Sequence, residues 1–264
     1  IKANETVTLT ISPNANYELK SLVVKDASNK DVTVTNNTFS MPSSNVTISA
    51  TFAQKSPTLV LTSGSASQTV NVNAAISTIK YTASGSAASI KVDGLPNGVT
   101  ATTSGLVATI SGKPSEIGTF NFSVTATNNE SKTTVLSGKI VVNAVAPVIT
   151  KPASTTISAT QGVAITPITF TSDVAATFNV TGLPAGLSAT TATDGKSVTI
   201  SGTPTGYGSS NFTVSATAYG KTSSVSGSVT VAQKLPTLVL TSGSANQTVN
   251  VNAAISTIKY TASG

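Results

Sequence analysis

The sequence predicts an all-β chain, with a short β block of its own character ahead of tandem β-sandwiches. Three observations carry this expectation. Apolar and polar residues alternate at period two along nearly every segment, and helical periodicity is hard to find. Turn residues punctuate the chain about every 8–12 positions, a spacing that suits sandwich strands rather than one large sheet. The stretch Ala53–Gly85 recurs at Ala232–Gly264, changed only at Ser56/Leu235 and Ser67/Asn246. Internal repetition of this kind marks a modular array.

The elements follow in four blocks. In Ile1–Phe52, Val7, Leu9 and Ile11 alternate with Thr, and Val46, Ile48, Ala50 and Phe52 alternate with Thr and Ser. Such strands turn one face to a core and the other to water. Pro57–Asn143 contains Phe120, Phe122 and Val124 in the same pattern, and Pro147–Val231 contains Phe212, Val214 and Ala216. Pro236–Gly264 repeats the opening of the second block. The joints Ala53–Ser56, Ala144–Ala146 and Ala232–Leu235 are short, and each is followed by Pro. They bend less than a Gly/Ser linker, so a semi-rigid rod is expected. The chain is expected to be a piece of a longer repetitive protein, with its start and its end inside domains. If Pro236–Gly264 is ordered, its missing half is expected to come from another chain, because so short a segment builds no core of its own.

Composition excludes several chemistries. There is no Cys, His or Trp, and all 15 basic residues are Lys. No disulfide, thiolate nucleophile or Cys-based metal site is available. The commonest general base and transition-metal ligand is missing too. Charged residues make up 9% of the chain, against about 25% in an ordinary domain. The net charge of +6 comes from dispersed lysines, without Arg or a stacking aromatic platform, so nucleic acid is not an expected partner. No apolar run reaches membrane-spanning length, so no membrane insertion is expected.

The two middle blocks share three motifs in order. The first carries Gly94-Leu95-Pro96-Asn97-Gly98, Ile110-Ser111-Gly112-Lys113-Pro114 and Phe122-Ser123-Val124-Thr125-Ala126. The second carries Gly182-Leu183-Pro184-Ala185-Gly186, Ile200-Ser201-Gly202-Thr203-Pro204 and Phe212-Thr213-Val214-Ser215-Ala216. The first motif reads as a tight turn with an apolar plug. The second reads as a strand ended by a Gly turn, with Pro blocking further pairing. The third reads as an inward-facing core strand.

At these motifs the chain resembles the Ig-like, cadherin-like domains of large bacterial surface proteins, over Pro57–Val231 and again from Pro236. The resemblance implies an extracellular sandwich of about seven strands, in a tandem array, and no activity. The first block, through Phe39-Ser40-Met41-Pro42 and Asn45–Phe52 after Glu5–Thr10 and Tyr17–Leu19, resembles the divergent internalin B-repeat, which implies a small β-rich, grasp-like module.

The remaining polar groups offer few candidates for chemistry. The acids are Glu5, Glu18, Asp26, Asp31, Asp93, Glu116, Glu130, Asp173 and Asp194, and none forms a calcium-type cluster. Asp26 and Asp31 flank a turn, as a solvated hairpin loop would have them. Ser111-Gly112-Lys113 is a turn of the repeat, and Thr203 replaces its Lys in the second copy. An isopeptide bond from Lys20 or Lys25 to Asn45 beside Glu18 is conceivable, with exposed strand lysines the plainer expectation. Asn121 and Asn211 fit glycosylation sequons, which polar-face alternation also explains. Tyr17, Tyr81, Tyr207, Tyr219 and Tyr260 are scattered, which favours packing or edge roles over a sugar-binding face.

The sequence therefore predicts no catalytic, cofactor-binding or metal residues, and no enzyme. It predicts a stalk or adhesion region of an exported bacterial surface protein, outside the cell. Expected partners are other protein chains or cell-surface glycans, with head-to-tail self-association conceivable. The alternatives are accessory modules of a secreted enzyme, or a subunit of an extracellular filament or sheath.

Overall fold

The computed structural model describes residues 1–263; Gly264, the last residue of the fourth block, lies outside the described residues. Every named element is a strand, as the sequence predicts. The chain packs as two compact units, Ile1–Asn143 and Ala144–Gly264.

The first unit opens with β1 (Thr6–Thr8), β2 (Tyr17–Asp26), β3 (Asp31–Val32), β4 (Thr38–Ser40) and β5 (Val46–Gln54). β1 pairs with β4, and β2 lies between β3 and β5 in an antiparallel sheet. Val24 on the central strand and Phe39 on β4 are buried, but Ile48 and Phe52 on β5 stay exposed. The expected core face of β5 is thus only partly covered, because β5 is an edge strand of a three-stranded sheet. The strand runs on through Ala53 and Gln54, which pair with Glu18 and Tyr17.

Eight strands follow: β6 (Thr58–Ser63), β7 (Ser67–Asn71), β8 (Ile79–Ser84), β9 (Ala87–Asp93), β10 (Val99–Ser104), β11 (Val107–Gly112), β12 (Gly118–Asn128) and β13 (Thr133–Asn143). They form two sheets, ordered β10-β11-β8-β6 and β7-β13-β12-β9. This is the strand order of the immunoglobulin sandwich, with the first strand split in two. Its second piece, β7, crosses to the other sheet and pairs parallel to β13. Ile79, Tyr81, Ala108, Ile110, Phe122, Val124, Ala126 and Ile140 are buried, which is the inward half of each alternation.

The second unit repeats the plan. Its strands are β14 (Ile149–Thr150), β15 (Thr156–Thr160), β16 (Ile168–Ser172), β17 (Thr177–Thr181), β18 (Leu187–Thr191), β19 (Ser197–Gly202), β20 (Gly208–Ala218) and β21 (Lys221–Ala232). The sheets are ordered β14-β16-β19-β18 and β15-β21-β20-β17, and β15 again pairs parallel to its neighbour. Phe170 on β16 meets Phe212 on β20 edge-on, with ring centroids 6.2 Å apart. The aromatic pair bridges the two strands that carry the inter-sheet disulfide in antibody domains. This chain has no Cys to make that bridge.

The fourth block forms a two-stranded sheet, β22 (Thr237–Ser242) and β23 (Lys259–Ser263). Its internal register copies that of β6 and β8, including the shift after Leu240 that mirrors the one after Leu61. Burial does not follow. Leu238 is 67% exposed where its twin Leu59 is 7%, and Tyr260 is 51% exposed where Tyr81 is 1%.

The buried Tyr81 hydroxyl has no hydrogen-bond partner among the described residues, and burial pushes its phenol above the usual value of 10.0. Phe170 fills the corresponding place in the second sandwich, opposite Val198 as Tyr81 is opposite Ala108. Tyr81→Phe should therefore stabilise the first sandwich, by about 1 kcal/mol, since an unsatisfied buried hydroxyl is costly. The wild-type disadvantage should widen as pH rises through 10.0. The unfolded tyrosine then releases its proton while the buried one holds it, so stability falls with pH. Denaturant melts of both proteins at pH 7 and pH 10.5 check this. Equal stability at both values would refute it.

Candidate functional site

The first two of the repeated motifs come together as a structural clip at one end of each sandwich. In the first, the Lys113 N–H donates to the Gly98 carbonyl at 2.9 Å and the Ser115 N–H to the Asn97 carbonyl at 2.9 Å. The Gly112 carbonyl accepts from Ile76 at 3.0 Å and the Pro114 carbonyl from Asn73 at 2.7 Å. The second repeats each bond: Thr203 to Gly186 at 2.9 Å, Thr205 to Ala185 at 3.0 Å, Ile165 to Gly202 at 2.9 Å and Gly162 to Pro204 at 2.9 Å. Pro114 and Pro204 are buried, while the intervening Lys113 and Thr203 are exposed. Ser111 lies in β11, paired with Thr100, where it meets no base.

The carboxylates are dispersed, most of them against a partner nearby in the chain. Asp26 accepts from the Ser28 and Lys30 amides at 2.9 and 3.0 Å, which closes its own turn. Asp194 accepts from the Lys196 amide at 2.9 Å and Asp173 from the Val148 amide at 2.7 Å. Glu5 accepts from the Lys2 amide and Glu116 from the Asn97 amide, both at 2.8 Å. Asp31 pairs with Lys25 at 3.0 Å and Asp93 with Lys91 at 2.8 Å. Among the described residues, no three acids converge on a metal-sized site.

The isopeptide set is not assembled. β2 and β5 are antiparallel, so Glu18 sits beside Ala53 at one end while Asp26 faces Val46, next to Asn45, at the other. Lys25 is taken by Asp31, and Glu18 by Lys132 at 3.0 Å. The tyrosines do not share a face either. Tyr81 is buried, and Tyr207 and Tyr219 lie at opposite ends of β20. An 11-residue strand separates them by about 35 Å. Asn121 and Asn211 are exposed.

Several grooves lie on the surface. One, in the first module, is lined by Ser12, Pro13, Asn14, Tyr17 and Phe52. Another lies between the edge strands β17 and β18, over Phe178, Val180, Leu183 and Leu187. A third, beside the clip of the second sandwich, is lined by Gln161, Thr203, Thr205 and Lys234. None of these linings contains a carboxylate.

One polar constellation was not foreseen from the sequence. The β12–β13 turn places Asn128, Glu130 and Lys132 against the last residues of β5. The Glu130 carboxylate accepts from the Gln54 amide at 3.0 Å. Lys132 donates to the Gln54 carbonyl and to Glu18. Asn128 donates to the Lys55 carbonyl at 2.9 Å. The sequence shows these residues only as a polar turn.

Comparison with known proteins adds one family and a weak structural likeness. The family of divergent InlB B-repeat domains matches residues 1–56, running past the expected boundary at Phe52. No curated protein matches the chain in sequence. Among solved structures it is similar to the titin domains Z1Z2 in complex with telethonin, at 14% identity and a TM-score of 0.40, covering 69% of this chain and 100% of that one. It is also similar to the endo-fucoidan hydrolase MfFcnA4 of glycoside hydrolase family 107, at 15% identity and a TM-score of 0.36. That match covers 88% of this chain and 39% of the hydrolase. The titin tandem A164–A165 matches at 11% identity and a TM-score of 0.31, over 68% of this chain and all of that one. The strand order of the two sandwiches is itself that of the immunoglobulin fold.

Proposed function

We propose that the chain is a structural spacer or adhesion region of an exported bacterial surface protein, with no catalysis of its own. It is read as four modules: 1–52, 57–143, 147–231 and 236–264. The observation that carries this is the duplicated clip. Two of the motifs that repeat between the sandwiches form main-chain bonds that close a sandwich end, and the carboxylates serve turns, ion pairs and the joint at Gln54. Repetition here reproduces a scaffold rather than a site. Partners would be protein chains or cell-surface glycans, met outside the cell.

Two measurements test the proposal. The purified chain should turn over no glycoside, peptide or ester substrate; activity abolished by one acid or Ser substitution would refute it. Intact cells expressing the full-length gene should lose these modules to external protease, and full protection would refute the surface location.

A further inference from the structure

We infer that the β12–β13 turn of the first sandwich is an interaction surface built to receive the main chain of an incoming strand, and that it joins the first module and this sandwich into one rigid body. Asn128 is 4% exposed. Its Oδ1 accepts from the Glu130 and Lys132 amides at 3.0 and 2.9 Å. That fixes the side chain and aims its Nδ2 at the Lys55 carbonyl. Ser86, on the β8–β9 hairpin, donates to the same carbonyl at 2.6 Å. The Lys55 amide donates in turn to the Asn16 carbonyl at 2.7 Å. Thr134 donates to the Pro57 carbonyl at 2.5 Å.

The chemistry of the partner follows from these contacts. The surface holds the Gln54 amide, the Gln54 carbonyl and the Lys55 carbonyl twice, all of them main-chain groups. Glu18, bonded to Lys132, supplies a side chain. A strand end at a sheet edge presents unpaired main-chain groups of this kind, and β5 is such an edge. Bonds to Glu130 and Lys132 are charge-assisted and stronger than neutral ones. Recognition through the main chain tolerates side-chain change, as in strand addition. Residues 1–143 pack as one compact unit, which contains this joint. The second sandwich has Ala218-Tyr219-Gly220-Lys221 at the corresponding turn and lacks the Asn and Glu.

The inference rests on the spacer reading only for its biological use, and its test involves neither activity nor location. Residual dipolar couplings on the full chain measure whether 1–54 and 57–143 share one alignment tensor. The wild type and Glu18→Gln should share one. The double variant Glu130→Gln/Lys132→Met should give two, with exchange of the Gln54 and Lys55 amides faster by about tenfold or more. Asn128→Asp keeps the turn-capping oxygen and removes the donor. It should also give two tensors, and it decides the matter if the double variant misfolds. Two tensors in the wild type, or one retained in the folded variants, would overturn the inference. Loss of the common tensor in Glu18→Gln would overturn recognition through the main chain.

Discussion

Phe122→Ala should cost the first sandwich about 3–5 kcal/mol, the range for emptying a buried aromatic site. Phe122 is buried, and its ring lies over Gly138, its partner across the β12–β13 ladder. A Cβ on Gly138 would collide with the ring tip and come within 2.7 Å of the Ala66 carbonyl. That carbonyl is held in place by the Lys139 amide at 2.7 Å. Gly138→Ala should therefore cost about 1–3 kcal/mol by overpacking. The double variant should cost less than the sum, by about 1 kcal/mol, because truncating the ring vacates the space that the methyl needs. Native-state hydrogen exchange of β12 reads each effect, and β20 in the second unit serves as an internal control. Strict additivity would show that the ring and the glycine are not one packing unit. Phe212 over Gly227, hemmed by the Thr155 carbonyl at 2.5 Å, predicts the same in the second sandwich.

These pairs show what was legible in the sequence and what was not. The alternation Phe122, Val124, Ala126 was readable because each of these residues points into one continuous core, so period and burial agree. Gly138 was not readable. In sequence it is a glycine inside a strand, and the reason for it is a ring on the neighbouring strand. The parallel pairing of β7 with β13 was hidden for the same reason, since nothing local marks a strand that changes sheets. Ile48 and Phe52 alternate as core residues do, yet an edge strand of a small sheet leaves them exposed. The dispersal of the acids was visible from spacing alone. The capture of Lys55 by Asn128 and Ser86 was not, because it joins residues of three separate segments whose local patterns are ordinary turns.

Gly98→Ala should destabilise the first sandwich by about 3 kcal/mol. Gly98 has φ +83°, a conformation that costs an L side chain about 1 kcal/mol. A methyl there would also lie deep inside contact distance of the Lys113 carbonyl. Displacing it strains the clip that Lys113 and Ser115 make with Gly98 and Asn97, which adds about 2 kcal/mol. Gly105, in the β10–β11 turn, separates the two contributions. Its φ is +56°, and a methyl would meet nothing within 4 Å. Gly105→Ala should therefore show the backbone cost alone, about 1 kcal/mol. Gly186→Ala, against the Thr203 carbonyl at φ +89°, should reproduce the larger loss in the second sandwich. Urea unfolding followed by exchange at Ile110 and Ile200 resolves the two sandwiches separately. If Gly98→Ala and Gly186→Ala cost no more than Gly105→Ala, the motifs do not interlock. The duplicated clip would then no longer explain why these glycines recur.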